Sequence, residues 1–86
     1  MPTLNIKVTP KGIAGSAISL DGKPLRPPYP PVDVAAGSHE LFWHAVGNPG
    51  GTLAITGTVN GDKVVDVTGT IPDDDDEDVG LQDFTV

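Results

Sequence analysis

The chain has no cysteine, which removes disulfides and thiolate metal sites from consideration. It has two histidines, too few for a histidine-rich metal cage. Its five basic residues are too few and too scattered to follow a phosphate backbone, so nucleic-acid binding is not expected. No apolar run approaches the length that crosses a bilayer, and "MPTLNIKVTPKG" lacks the apolar stretch of a signal peptide, so neither membrane insertion nor a leader is expected. Nowhere do apolar residues recur at helical spacing behind a capping box. A chain of 86 residues without such staples must draw its stability from packing and strand pairing. A cysteine-free composition suits reducing and oxidising compartments alike.

Charge is what the chain has most unevenly. Up to Pro72, Asp21, Asp33, Glu40, Asp62 and Asp66 are balanced by Lys7, Lys11, Lys23, Arg26 and Lys63. The whole net charge of −7 therefore lies beyond Pro72, in Asp73, Asp74, Asp75, Asp76, Glu77, Asp78 and Asp83. The body is neutral and the ending is an anion. We accordingly divide the chain into a domain at 1–72 and an acidic linker with an apolar strip at 73–86.

Alternation with a period of two runs through the body. In "TLNIKV" Leu4, Ile6 and Val8 share one side, the pattern of a strand with one buried face, and Pro10 and Gly12 are expected to end it. "SAISL" repeats the device, and "DGKP" supplies turn chemistry. "PLRPPYPPVDV" packs five prolines into residues 24–31, which reads as an extended crossover in which only residues 32–34 can pair. Tyr29 before Pro30 favours a cis bond. "SHELFWHAV" carries large apolar residues on both faces, as a central strand does when its second face is also covered. After the loop "GNPGG" comes the clearest hairpin. A two-residue Asn-Gly turn would set Ile55 across from Asp66, so an odd loop "NGD" is expected, pairing Val59 with Lys63, Gly57 with Val65 and Ile55 with Val67. Six or seven short strands with regular turn signals point to an all-β fold, a small antiparallel β-sandwich with an acidic C-terminal extension.

"AISLDGKPL" followed by "PPVDVAAGSHELFWHAVG" is similar to PEGA-type and related immunoglobulin-like bacterial domains. The shared features are a strand, an xDG turn, a proline-containing crossover, and G-x-H opening a strand that ends in glycine. The likeness spans about residues 3–71, with "LDGKPLRPPYP" standing where the Pro-Glu-Gly-Ala signature would be. It implies an accessory, non-catalytic sandwich of the kind attached to cell-envelope or secreted proteins, and it assigns no active residues.

The residues themselves give no catalytic set and call for no cofactor. His39 and His44 lie five apart on one expected strand, face opposite ways and cannot share a metal ion. Ser16, Ser19 and Ser38 are in no nucleophile-elbow context, and "GNPGG" lacks the Lys-Ser/Thr that a phosphate cradle needs. In "PLRPPYPP" a P-x-x-P ligand with Arg26 and Tyr29 as contacts is outweighed by packing as a crossover. Trp43 is expected in the core, which turns Phe42 and His44 outward as a contact patch. The acids Asp73, Asp74, Asp75, Asp76, Glu77 and Asp78 lack the EF-hand order, so they are expected to give weak, non-specific calcium binding and no dedicated site.

The ending "LQDFTV" admits two readings of equal weight. It is a last strand that docks on an open sheet edge, or a linear motif held out by the acids. Its last four residues resemble both the C-termini of type I secretion substrates and class II PDZ ligands. The acid run with an apolar tip resembles the tail of single-stranded-DNA-binding proteins, without their Pro-Phe ending. The expected function is protein binding, through an exposed sheet face or edge and the tail, with Phe42, His44, Tyr29, Leu81, Phe84 and Val86 as contacts. The alternative is a small exported protein whose tail is a secretion signal and whose body binds carbohydrate or another surface ligand.

Overall fold

The computed structural model describes residues 2–86. Its strands are β1 (Thr3–Leu20), β2 (Lys23–Leu25), β3 (Val32–Asp33), β4 (Ser38–Val59), β5 (Asp62–Thr70) and β6 (Glu77–Thr85). All six belong to one antiparallel sheet, and among the described residues there is no helix. β1 and β4 run side by side from Leu4↔Val59 to Leu20↔Leu41. The far edge of β1 takes β3 at one end and β2 at the other, while the far edge of β4 takes β6 along its first half and β5 along its second.

Four of the expected short strands are thus two long ones. Pro10 does not end β1; it pairs with Leu53. The missing N–H is tolerable because the other edge of β1 is unpaired between the β3 and β2 contacts. "GNPGG" is likewise an excursion within β4. Between the pairs Lys11↔Thr52 and Ile13↔Gly47, β1 advances two residues while β4 advances five. This bulge lets the two strands turn a corner together. Gly12 takes φ of +71°, and a Cβ on Gly47 would lie 2.4 Å from the Gly12 carbonyl oxygen, so the close approach at the corner requires glycine there.

The corner doubles the sheet over on itself. A straight strand of 22 residues would span roughly 70 Å, but the longest dimension of the molecule is 42 Å. Leu41 and Ile55, from opposite halves of β4, line one narrow seam with Leu4, Val65 and Phe84 that has no space for water. Inward residues from both halves, among them Leu4, Ile18, Leu41, Trp43, Leu53 and Ile55, form a single core.

The β4–β5 hairpin keeps the expected register near Ile55 but not the expected odd loop. Its turn is the two-residue Asn60-Gly61, with φ of +53° and +82°, as in a type I′ turn. Val59 pairs with Asp62, where the odd loop placed Lys63. A bulge at Val64 then shifts the register, and Gly57↔Val65, Thr56↔Asp66 and Ile55↔Val67 pair as expected. Asp21-Gly22 repeats the same positive-φ geometry between β1 and β2. In the proline crossover the cis bond is Pro27–Pro28, not the one before Pro30.

Candidate functional site

The acidic ending folds back as a strand. Asp73, Asp74, Asp75 and Asp76 make the turn out of β5, with the Asp75 N–H donating to the Pro72 carbonyl at 3.1 Å and the Gly47 N–H donating to the Asp76 carbonyl at 2.9 Å. β6 then runs antiparallel to the first half of β4, from Val46↔Glu77 to Ser38↔Thr85. Alternation separates the remaining acids. Glu77 points to the outer face, where its Oε2 is 3.1 Å from His44 Nε2, and Asp78 points inward, where its Oδ2 accepts the Trp43 indole N–H at 3.2 Å. Among the described residues no three His, Asp or Glu side chains converge on a metal position.

The same alternation builds a face. Phe42, His44 and Val46 of β4 point outward beside Leu81, Val79 and Glu77 of β6, which are their cross-strand partners. Phe42 is 42% exposed, Val46 40%, Val79 59% and Leu81 55%; these are the large apolar residues left in solvent among the described residues, and all four lie on this patch. Carboxylates bound it, with Glu77 at one end and the Glu40↔Asp83 pair at the other. Phe42, His44 and Leu81 were readable from the sequence as contacts, and the structure brings them together. Val46 and Val79 were not, because their place depends on the β4–β6 register; the alternation of "VGLQD" was the available signal.

The inner face of this half is closed by Trp43. Its indole lies across Gly80, its partner on β6, and reaches Gly69 of β5, so the tail, the body and the second half of the sheet meet on one side chain. The expected placement of Trp43 in the core is met.

His39 also points inward, at the rim. Its Nδ1 is 2.5 Å from Asp21 Oδ2, its Nε2 is 2.7 Å from the Ala35 carbonyl, and its ring stacks on Phe84 with centroids 5.5 Å apart. Both nitrogens face acceptors, so both bonds form together only when the ring carries two protons. The Asp21 hydrogen bond, then the Ala35 carbonyl, raise the His39 pKa above its ordinary value. Asp21 is held below its own by His39 and by the Glu40 N–H that donates to its Oδ1 at 2.8 Å. This arrangement ties the β1–β2 turn to β4. Neither ring nitrogen is left to take a proton from a nucleophile.

Three expected contacts lie elsewhere. Phe84 is buried, because its position in β6 has the inward parity of Gly80, so it belongs to the core and not to a contact surface. Val86 is half-buried; it exchanges N–H to carbonyl bonds of 2.9 and 3.0 Å with Gly37 and packs against the core. A linear-motif role would require both residues to leave these positions. Tyr29 is half-buried in the crossover, in a recess with Ile6, Leu25, Arg26 and Val32 that shares no residue with the Phe42 patch. No family model, curated protein or solved structure matches the chain.

Proposed function

We propose that this is a non-catalytic β-sandwich module that binds another protein through the outer face of β4 and β6. In this reading the folded-over antiparallel sheet serves as the body of an immunoglobulin-like or PEGA-type accessory domain, and the outer face of β4 and β6 is what that body presents. One observation carries the reading. The large apolar residues left exposed among the described residues, Phe42, Val46, Val79 and Leu81, fall on one contiguous patch of a small domain whose remaining large apolar side chains pack inward. Exposed apolar side chains scattered singly need no explanation, but a patch rimmed by charge is the usual appearance of a docking surface. Cross-strand pairing holds the patch rigid, so little ordering opposes binding. His44, between Phe42 and Val46, adds a polar group within the patch and is paired with Glu77 at its end.

The test is site-specific photocrosslinking in the cells that make the protein, with a benzophenone side chain at position 42 or 81 and, as a control, at position 7 or 66 on the other half. The reading predicts a discrete adduct from the first pair and none from the second. Equal adducts from all four positions, or none, would remove it.

A further inference from the structure

The partner's chemistry can be read from the edge of β6. The backbone hydrogen bonds between Gly37 and Val86 and from Gly47 to Asp76 set the ladder phase, so the backbone groups of Asp78, Gly80, Gln82 and Phe84 bond to β4. Those of Glu77, Val79, Leu81 and Asp83 face the opposite way. Among the described residues no strand pairs with that side of β6. Among the described residues, one side-chain bond meets it, from Gln82 Nε2 to the Asp83 carbonyl at 2.9 Å. The residues whose backbones face the open edge are also those whose side chains face outward, and in order they are an acid, two apolar residues and an acid.

The surroundings set the sign of the partner. β4, β6 and the turn before β6 contain no lysine or arginine, and Glu77 and Asp83 are the charged side chains of the edge residues themselves. A second copy of β6 is disfavoured in the register that matches its apolar residues to each other. Antiparallel pairing about Gly80 would set Val79 against Leu81 but would also set Glu77 against Asp83 twice, and like charges directly opposite are destabilising. Natural edges are commonly blunted by charge, lysine above all, or by proline; β6 has neither lysine nor proline, and the charge it carries is all acidic.

From this pattern we infer that the β6 edge receives an extended segment of a partner protein in which basic and apolar residues alternate as basic–x–apolar–x–apolar–x–basic. The added strand continues the sheet by main-chain hydrogen bonds to Val79 and Leu81. Its two apolar side chains lie beside Val79 and Leu81, extending the Phe42 patch, and its basic residues lie beside Glu77 and Asp83. This inference rests on the proposed protein-binding reading and narrows it to one kind of partner.

The experiment uses the full chain and an end-blocked peptide, Lys-Thr-Ile-Thr-Val-Thr-Lys, titrated at low salt and followed by backbone NMR and amide exchange. The expected result is saturable shifts along β6 and slowed exchange of the Val79 and Leu81 amides. Glu77→Gln with Asp83→Asn should weaken binding about five- to tenfold, the size expected of two exposed charge contacts. The counterpart with glutamate in place of both lysines should not bind. Absence of shifts at millimolar peptide, equal binding of the glutamate peptide, or a β6-paired dimer of the chain alone would each overturn the inference. If crosslinking at positions 42 and 81 succeeds while the peptide fails, the docking face stands and the basic-strand partner falls.

Discussion

The indole of Trp43 lies across the α-carbon of Gly80: a methyl group added there would come within 2.0 Å of Trp43 Cζ2. The two are cross-strand partners, so the one tryptophan stands opposite the one position of β6 with no side chain. Gly80→Ala is therefore expected to force either the indole or β6 out of place. Overpacking a core of this kind costs about 1–3 kcal/mol, and thermal unfolding should show it as a lowered midpoint together with an altered tryptophan emission.

Removing the ending should damage the body as well. A chain stopped at Pro72 loses Phe84 from the core, and emptying a buried phenylalanine site costs about 3–5 kcal/mol in itself. Against the 5–15 kcal/mol of a typical domain, the shortened chain should be largely unfolded at ambient temperature, as circular dichroism and proton NMR dispersion would report. A shortened chain with an unchanged spectrum would mean that β6 does not dock.

Asp78 gives a finer test of the same contact. Asp78→Ala removes the acceptor of the Trp43 N–H while leaving the acidic turn intact. A hydrogen bond of this type contributes about 1 kcal/mol, so a modest loss of stability is expected in denaturant titration. Asp76→Ala, whose backbone carbonyl and not its side chain bonds to Gly47, should change little.

The His39–Asp21 pair predicts a stability plateau. The folded pKa of His39 lies above its ordinary 6.5, so its contribution is complete below that value and is lost as pH rises through the raised one. For Asp21 the folded pKa lies below 3.8, so its contribution is complete above that value and is lost as pH falls through the lowered one. Denaturation midpoints should be flat between about pH 4 and 6.5 and fall on either side. His39→Gln should remove the alkaline fall and reduce the acid one, because the His39 hydrogen bond is the first cause of the lowered Asp21 pKa and only the Glu40 N–H then remains to hold it down.

How much of this was legible beforehand depended on whether the cause was local. The alternation of Leu4, Ile6 and Val8, the inward Trp43 and the outward Phe42 follow from a period of two within one strand, and they hold. The hairpin register near Ile55 and Val67 follows from the mismatch that any other pairing would create, and it holds, although a bulge at Val64 accomplishes it in place of a longer loop. The merging of four strands into two was not legible. Pro10 and the "GNPGG" excursion are locally breakers, and only the opposing strand, with Gly12 placed at the corner, turns them into a bend in a continuous ladder. The docking of β6 was an even choice on sequence because six like charges argue against folding back. Long-range pairing decides it, since Gly80 receives Trp43, Asp78 bonds the indole and Phe84 fills the core.

The central claim is that Phe42 and Leu81 form the heart of a protein-docking face, and calorimetric titration of the crosslinked partner against the native chain and against Phe42→Ser/Leu81→Ser tests it most directly. Both residues are well exposed, so the double variant should keep its fold at a cost of at most about 1 kcal/mol for the lost cross-strand pair. The account predicts that binding weakens at least about thirtyfold, the loss of two central apolar contacts of roughly 1 kcal/mol or more each. Unchanged affinity in a folded double variant would contradict it.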